Sequence, residues 1–171
     1  NGGTLFLDEI ESISLNMQLK LLRVLEEREI EKLGSNRRIK VNNRIICATN
    51  VDLAGLVADG RMREDFYYRI NVVPLRIPPL RERIEDIPLL VGEFLRNSEM
   101  AKDKGINRLS NRALSQLMSY QWPGNVRELG NVIERAILRT SGAVIREVNL
   151  PGHASLGRDT ASNGSARQAG Y

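Results

Sequence analysis

Asn1-Gly2-Gly3-Thr4-Leu5-Phe6-Leu7-Asp8-Glu9 opens the chain, and its reading decides the fold. Leu5-Phe6-Leu7 is an unbroken apolar run, the pattern of a strand covered on both faces in a parallel sheet. It ends in two adjacent carboxylates. At a strand end one carboxylate can hold a magnesium ion while a second positions the water of a hydrolysis. Asp8 and Glu9 fit that pairing, and equally a pair of solvated strand-end acids.

Outward from this strand, the apolar residues Leu15, Leu19, Leu22 and Leu25 mark an amphipathic helix over about 14–28, with Ser14 as its N-cap. Ile30 to Val41 reads as a hairpin around Gly34-Ser35-Asn36. A second buried strand, Arg44-Ile45-Ile46-Cys47-Ala48, runs into Thr49-Asn50. A polar side chain there can orient water or touch a terminal phosphate, or simply cap the next helix. Short helices near Leu53–Ala58 and Arg63–Tyr68 lead to an expected third strand, Ile70 to Ile77, closed by Pro78-Pro79.

From Ile84 the pattern is helical. One long helix is expected over Glu85 to Lys104, stopped by Gly105. A second starts at Ser110, with Leu109 and Leu114 placed for a hydrophobic staple. A third starts at Asn125, where Asn125 and Glu128 approximate a capping box and Leu129, Val132, Ile133, Ala136 and Ile137 form the apolar face. The stretch from about Gly152 is rich in Gly, Ser and Ala and reads as a linker or disordered tail.

Three arginines stand out. Arg63 and Arg69 flank Glu64-Asp65-Phe66-Tyr67-Tyr68, and a planar guanidinium suits a transition state with spread negative charge. On one continuous helix they would stand about 120° apart, so they point the same way only if the helix ends before Arg69. A surface network with Glu64 and Asp65 is the alternative. Arg127 lies in the first turn of a helix, where the macrodipole disfavours a cation by ~0.3–1 kcal/mol. A broken local rule of this kind marks a candidate site, against an ordinary pairing with Glu128. Trp122-Pro123-Gly124 makes a rigid entry to that turn, and Gly130 leaves room for close approach.

Composition sets bounds. The 171 residues are 42% hydrophobic, ample for a core, and no apolar run approaches the ~20 residues of a membrane span. No signal peptide is visible, which points to a cytoplasmic protein. The formal charge of +4 is dispersed, apart from Asn36-Arg37-Arg38, and neither helix-turn-helix nor zinc-finger spacing appears. Cys47 reads as a small core residue and His153 as inert.

Together these segments resemble the central AAA+ ATPase domain of sigma-54-dependent bacterial transcriptional activators, the NtrC-like enhancer-binding proteins. Beyond Gly2 to Glu9, the matching text is Leu22-Arg23-Val24-Leu25-Glu26-Glu27-Arg28, Arg44 to Asn50 and Arg63 to Val72. It continues in Pro78-Pro79-Leu80-Arg81-Glu82-Arg83 and Trp122-Pro123-Gly124-Asn125-Val126-Arg127-Glu128-Leu129. The resemblance covers about 1–150. It implies an α/β fold: part of an AAA+ core over 1–80, a helical lid over 81–150 and a tail over 151–171. It implies ATP and Mg2+, with Asp8 serving the metal, Glu9 polarising water, and Asn50 with Thr49 as sensor I. Arg63 and Arg69 become arginine fingers reaching a neighbouring subunit in a hexameric or heptameric ring, and Arg127 becomes sensor II. The implied partner is sigma-54 RNA polymerase, with DNA met only through a domain outside this sequence.

The phosphate cradle G-x-x-x-x-G-K-[ST] and the family's GAFTGA loop do not occur in the sequence. The resemblance therefore implies an N-terminally truncated piece, inactive alone, whose strand over Ile70–Ile77 lacks its central neighbour and exposes apolar edges. Such a chain is expected to aggregate, to pair strands between molecules, or to keep only its lid well ordered. A rival reading is a non-catalytic module that docks into rings through Arg63 and Arg69. A different AAA+ remodeller is opposed by the Arg63–Asn71 and Trp122–Leu129 segments. Arg81 and Arg83 are expected to brace the lid.

Overall fold

The computed structural model describes residues 2–31 and 38–151. The hairpin turn at Gly34-Ser35-Asn36, Arg37, His153 and the stretch from Gly152 lie outside the described residues. The contacts divide the chain into two units, 1–76 and 77–171.

In the first unit β1 (Thr4–Leu7) pairs in parallel with β4 (Arg44–Cys47), and Leu7 stands opposite Cys47. Between them come α1 (Leu15–Glu27) and an antiparallel pair, β2 (Glu29–Glu31) with β3 (Arg38–Lys40). The Ser14 hydroxyl accepts the Met17 N–H at 3.4 Å, which starts α1 where the sequence places it. α2 (Leu53–Ala58) and α3 (Glu64–Ile70) follow. α1 and α2 both pack on α3, and Ile10, Leu22, Leu56, Met62 and Phe66 are the buried core. Cys47 sits half-buried beside it, a free thiol whose pKa burial raises.

The expected third strand is absent. α3 continues through Ile70, and residues 71–79 form no ladder. Val72, Val73, Leu75 and Ile77 are 72%, 76%, 87% and 78% exposed. β-propensity is a preference for a pleated, half-buried surface, and this segment has no neighbouring strand among the described residues to supply one.

In the second unit the expected single helix over 85–104 is broken. A 3-10 turn (Ile84–Asp86) precedes α4 (Ile87–Asn97), and α5 (Glu99–Asp103) begins after Ser98. Ser98 caps α5, its hydroxyl accepting the Ala101 N–H at 3.3 Å, so local capping wins over continuation. α6 (Asn111–Met118) is capped by Ser110, and α7 spans Asn125–Arg139. β5 (Arg108–Leu109) and β6 (Val144–Ile145) make a short parallel pair.

The α7 face Leu129, Val132, Ile133, Ala136 and Ile137 is buried as its spacing requires, against Val91, Leu117, Trp122 and neighbours. The end of α7 is closed by Lys104, whose Nζ donates to the carbonyls of Ile137, Leu138 and Thr140 at 3.0, 2.8 and 3.3 Å. A cation on the last carbonyls of a helix complements its dipole.

Candidate functional site

Parallel pairing brings the two candidate strand ends side by side. The Ala48 N–H donates to the Leu7 carbonyl at 2.8 Å, and the Ile10 N–H donates to the Ala48 carbonyl at 3.1 Å. These two bonds carry the ladder one step past β1 and set Asp8-Glu9 beside Ala48-Thr49. The chain must then turn sharply to bury Ile10. It does so at Glu9, whose φ of 51° and ψ of 49° are left-handed. For a residue with a Cβ that conformation costs ~1–2 kcal/mol. The turn is held by Ser12, whose N–H and hydroxyl both donate to the Glu9 carbonyl, at 2.9 and 2.8 Å. Strain of this sort gathers at functional sites. Both carboxylates emerge exposed, and Asp8 Oδ1 accepts the Glu9 N–H at 3.0 Å.

Thr49 and Asn50 are exposed at the end of β4. They do not cap the next helix: Asp52 does, accepting the N–H groups of Ala54 and Gly55 at 3.2 and 3.3 Å. The Asn50 side-chain amide has no hydrogen bond among the described residues. Sequence reasoning missed Glu11. Its carboxyl is held below the usual carboxylate range chiefly by a hydrogen bond with the Thr49 side chain, helped by the Asn50 backbone. Its only sequence signal was a third acid in the run Asp8-Glu9-Ile10-Glu11.

No group of three or more His, Cys, Asp or Glu side chains converges among the described residues. Mg2+ does not require one. It usually takes one or two protein carboxylates and fills its shell with water and phosphate oxygens, so an exposed Asp8 with one free oxygen suits it.

Arg63 is the N-cap residue of α3. Its Nε and Nη2 reach the two oxygens of Asp65 at 3.0 and 2.7 Å, a bidentate pair. That pairing lowers the Asp65 pKa, and the Arg63 guanidinium is held still more firmly protonated. Asp65 Oδ1 also accepts the Phe66 N–H at 2.7 Å. Arg69 lies inside α3, and its Nη2 donates to the Leu25 carbonyl at 2.9 Å, on the last turn of α1. The helix does not end before Arg69, and the two guanidinium groups serve different partners. In this structure they do not converge.

Within the second unit, Arg127 is exposed on the first turn of α7 and has no ion pair or hydrogen bond among the described residues. The pairing with Glu128 is not made. Glu128 instead accepts the Gly124 N–H at 2.8 Å and the Tyr120 hydroxyl at 3.3 Å. Burial, with the Glu128 charge, raises the Tyr120 pKa. The expected capping box is half formed: Asn125 sits at φ 52°, and its Oδ1 accepts the Leu80 N–H at 2.8 Å rather than a helix N–H. Asn tolerates the left-handed region better than most residues. Trp122 is fully buried, donating from Nε1 to the Leu117 carbonyl at 2.8 Å. A Cβ at Gly130 would meet the Phe94 ring at 3.4 Å, so that glycine makes room for a core aromatic and not for a ligand. Arg81 and Arg83 lie 3.9 Å from Glu82 and Asp86 respectively.

Known proteins match along both units. The sigma-54 interaction domain family matches residues 1–76, and the AAA+ ATPase lid domain family matches 81–167. The DNA-binding transcriptional activator HyfR of Escherichia coli is 57% identical over 142 residues, covering 83% of this chain and 21% of HyfR. The nitrogen fixation protein VnfA of Azotobacter vinelandii is 55% identical over 152 residues, 88% of this chain and 29% of VnfA. The chain thus spans between a fifth and a third of these relatives. Among solved structures, NtrX from Brucella abortus in complex with ATP aligns with a TM-score of 0.70 at 39% identity, covering 79% of this chain and 32% of NtrX. The complex with ADP gives 0.73 over 84% of this chain and 33% of that one. The chain belongs to the AAA+ ATPase family, as a sigma-54 interaction domain joined to an AAA+ lid.

Proposed function

We propose that this chain contributes the hydrolytic edge, the trans arginines and the lid of an ATP-driven machine that remodels sigma-54 RNA polymerase in the cytoplasm. Residues 1–80 are read as AAA+ core, 81–150 as lid and 151–171 as linker. One observation carries the reading: the hydrogen bonds of Ala48 set Asp8-Glu9 beside Ala48-Thr49 at the ends of two parallel strands, with Asn50 the next residue along. Ligands of open parallel sheets bind at that end.

In this reading Asp8 holds Mg2+, which neutralises charge on the phosphates when bound. Glu9 accepts hydrogen bonds from the attacking water and orients it. The Asn50 amide, with Thr49, completes the polar rim around that water. Arg63, charged and presented at the start of α3, stabilises the transition state in an adjacent subunit of a ring built from copies of the protein. Such trans arginines are worth ~10³–10⁵ in rate. Arg69 serves as the second finger only if its bond to the Leu25 carbonyl opens. Arg127 contacts the nucleotide phosphates from the lid, a role its unpaired guanidinium leaves it free to take.

The test is magnesium-dependent ATP turnover by the full-length protein, with Glu9→Ala as control. Turnover lost in Glu9→Ala with nucleotide binding kept supports the assignment. Turnover that survives Glu9→Ala contradicts it. Absence of turnover in the unaltered protein, with binding to rings of a relative retained, favours the non-catalytic docking module.

A further inference from the structure

Gln18 is wholly buried, the one polar side chain so enclosed among the described residues. It lies on α1 four residues before Leu22, on the helix face turned to the core of the first unit. An apolar side chain of similar volume would fill this space without an amide to satisfy. The amide is satisfied entirely by backbone. Nε2 donates to the carbonyls of Ile13 at 2.9 Å and Arg61 at 3.2 Å, and Oε1 accepts the Arg63 N–H at 2.9 Å.

The last two bonds bracket Met62, itself 3% exposed, in the loop between α2 and α3. The other side of that loop is tied by Arg61 and Met62, whose N–H groups both donate to the Leu56 carbonyl at 2.9 and 3.0 Å. The N–H of an N-cap residue has no partner in its own helix. Gln18 provides one here, and so fixes the backbone from which the Arg63 side chain departs. Asp65 fixes the other end of that side chain through the guanidinium. Arg63 is thereby held at both ends, by Gln18 at its backbone and by Asp65 at its guanidinium.

We propose that Gln18 is a positioning residue for Arg63: it sets the start of α3 so that the guanidinium is presented in one geometry to the adjacent subunit. The inference rests on the reading of Arg63 as a trans-acting arginine. A 1 Å misplacement of a reacting group can cost about 10²-fold in rate. The full-length Gln18→Met protein should therefore lose about 10²-fold in kcat while its nucleotide affinity and ring assembly are unchanged.

Mixed rings separate positioning from damage. A Gln18→Met subunit keeps its own Asp8, Glu9 and Asn50, so it should turn over ATP when its neighbour supplies a well-placed Arg63. Mixing Gln18→Met with Glu9→Ala subunits should raise turnover above that of either alone. Should Gln18→Met fail to assemble, Gln18→Asn replaces it, keeping both amide polarities one methylene short, and the same readings decide. Loss of turnover without rescue in mixed rings means a purely structural glutamine and overturns the proposal. Full activity of the Gln18 variant while Arg63→Ala is inactive overturns it too, and leaves Arg63 standing. Full activity of Arg63→Ala removes the reading of Arg63 and this inference together.

Discussion

The second unit closes Val91, Leu117, Trp122, Leu129 and Ile133 into one core with little or no exposed surface, whereas in the first unit Leu5, Phe6 and Ile46 of the central sheet are 42%, 58% and 40% exposed. Both sets of residues read as core in the sequence. Helices of the second unit cover each other's apolar stripes, so each stripe finds a partner within the unit. A sheet of two parallel strands cannot do that: its outer edges keep unpaired N–H and C=O groups, and its faces need helices on both sides. The candidate carboxylates and the Thr49-Asn50 pair sit on the open unit, at the ends of β1 and β4, and the folding free energy should be concentrated in the closed one.

The largest expected contrast is in side-chain truncation. Trp122→Ala should cost the second unit ~3–5 kcal/mol, because a wholly buried ring and its bond to the Leu117 carbonyl are lost together. Phe6→Ala, at a side chain already more than half exposed, should cost under about 1 kcal/mol. Trp122→Ala removes the chain's single tryptophan, so denaturant melts followed by hydrogen exchange, in α7 for the second unit and in β1 for the first, would measure both. Equal costs would break the contrast.

Lys104→Met should destabilise the second unit by ~1–2 kcal/mol, since two α7 carbonyls and that of its C-cap Thr140 lose their charged donor. An unchanged melting temperature would mean that water replaces Nζ at no cost. Leu75→Ser should change the stability of the first unit by no more than ~0.5 kcal/mol, because that side chain is 87% exposed and outside any ladder. The same change should reduce self-association of the 171-residue chain, and a large loss of stability would show that residues 70–77 pair after all.

The smallest effect concerns Asp65. Its pKa is depressed, mainly by the hydrogen bonds from Arg63. The associated stability is present above the unfolded-state pKa and lost as pH falls through the folded one. Since the pair is exposed, the contribution is small. Carboxyl titration by NMR should show Asp65 titrating below ordinary aspartates, and Arg63→Ala should move its midpoint upward.

What could be read from the chain alone follows the same division. Patterns complete within a few residues were legible: the Ser14 and Ser110 caps, the α7 face, and the strand ending in Asp8-Glu9, though not its expected burial, since Leu5 and Phe6 are exposed. Patterns that needed a distant partner were not. Asn125 looked like a helix cap, yet its oxygen is taken by the Leu80 N–H, 45 residues away. Ile70–Ile77 had strand composition and, among the described residues, no strand to pair with. Ser98 ended α4 because a hydroxyl cap competed with a long periodic pattern. Gln18 had a signal that went unused, a polar residue four before Leu22 and seven before Leu25, in phase with the buried face while Leu15 is exposed. The site was legible as residue types; that Arg63 and Arg69 have separate partners required the length of α3.

The most direct measurement is ATP turnover by mixtures of full-length Glu9→Ala and Arg63→Ala subunits, each inactive alone. If Glu9 acts within its own subunit and Arg63 acts on the next, mixing restores turnover, because Arg63→Ala sites receive an intact arginine from Glu9→Ala neighbours. Mixtures as inactive as their components would contradict a site shared between subunits.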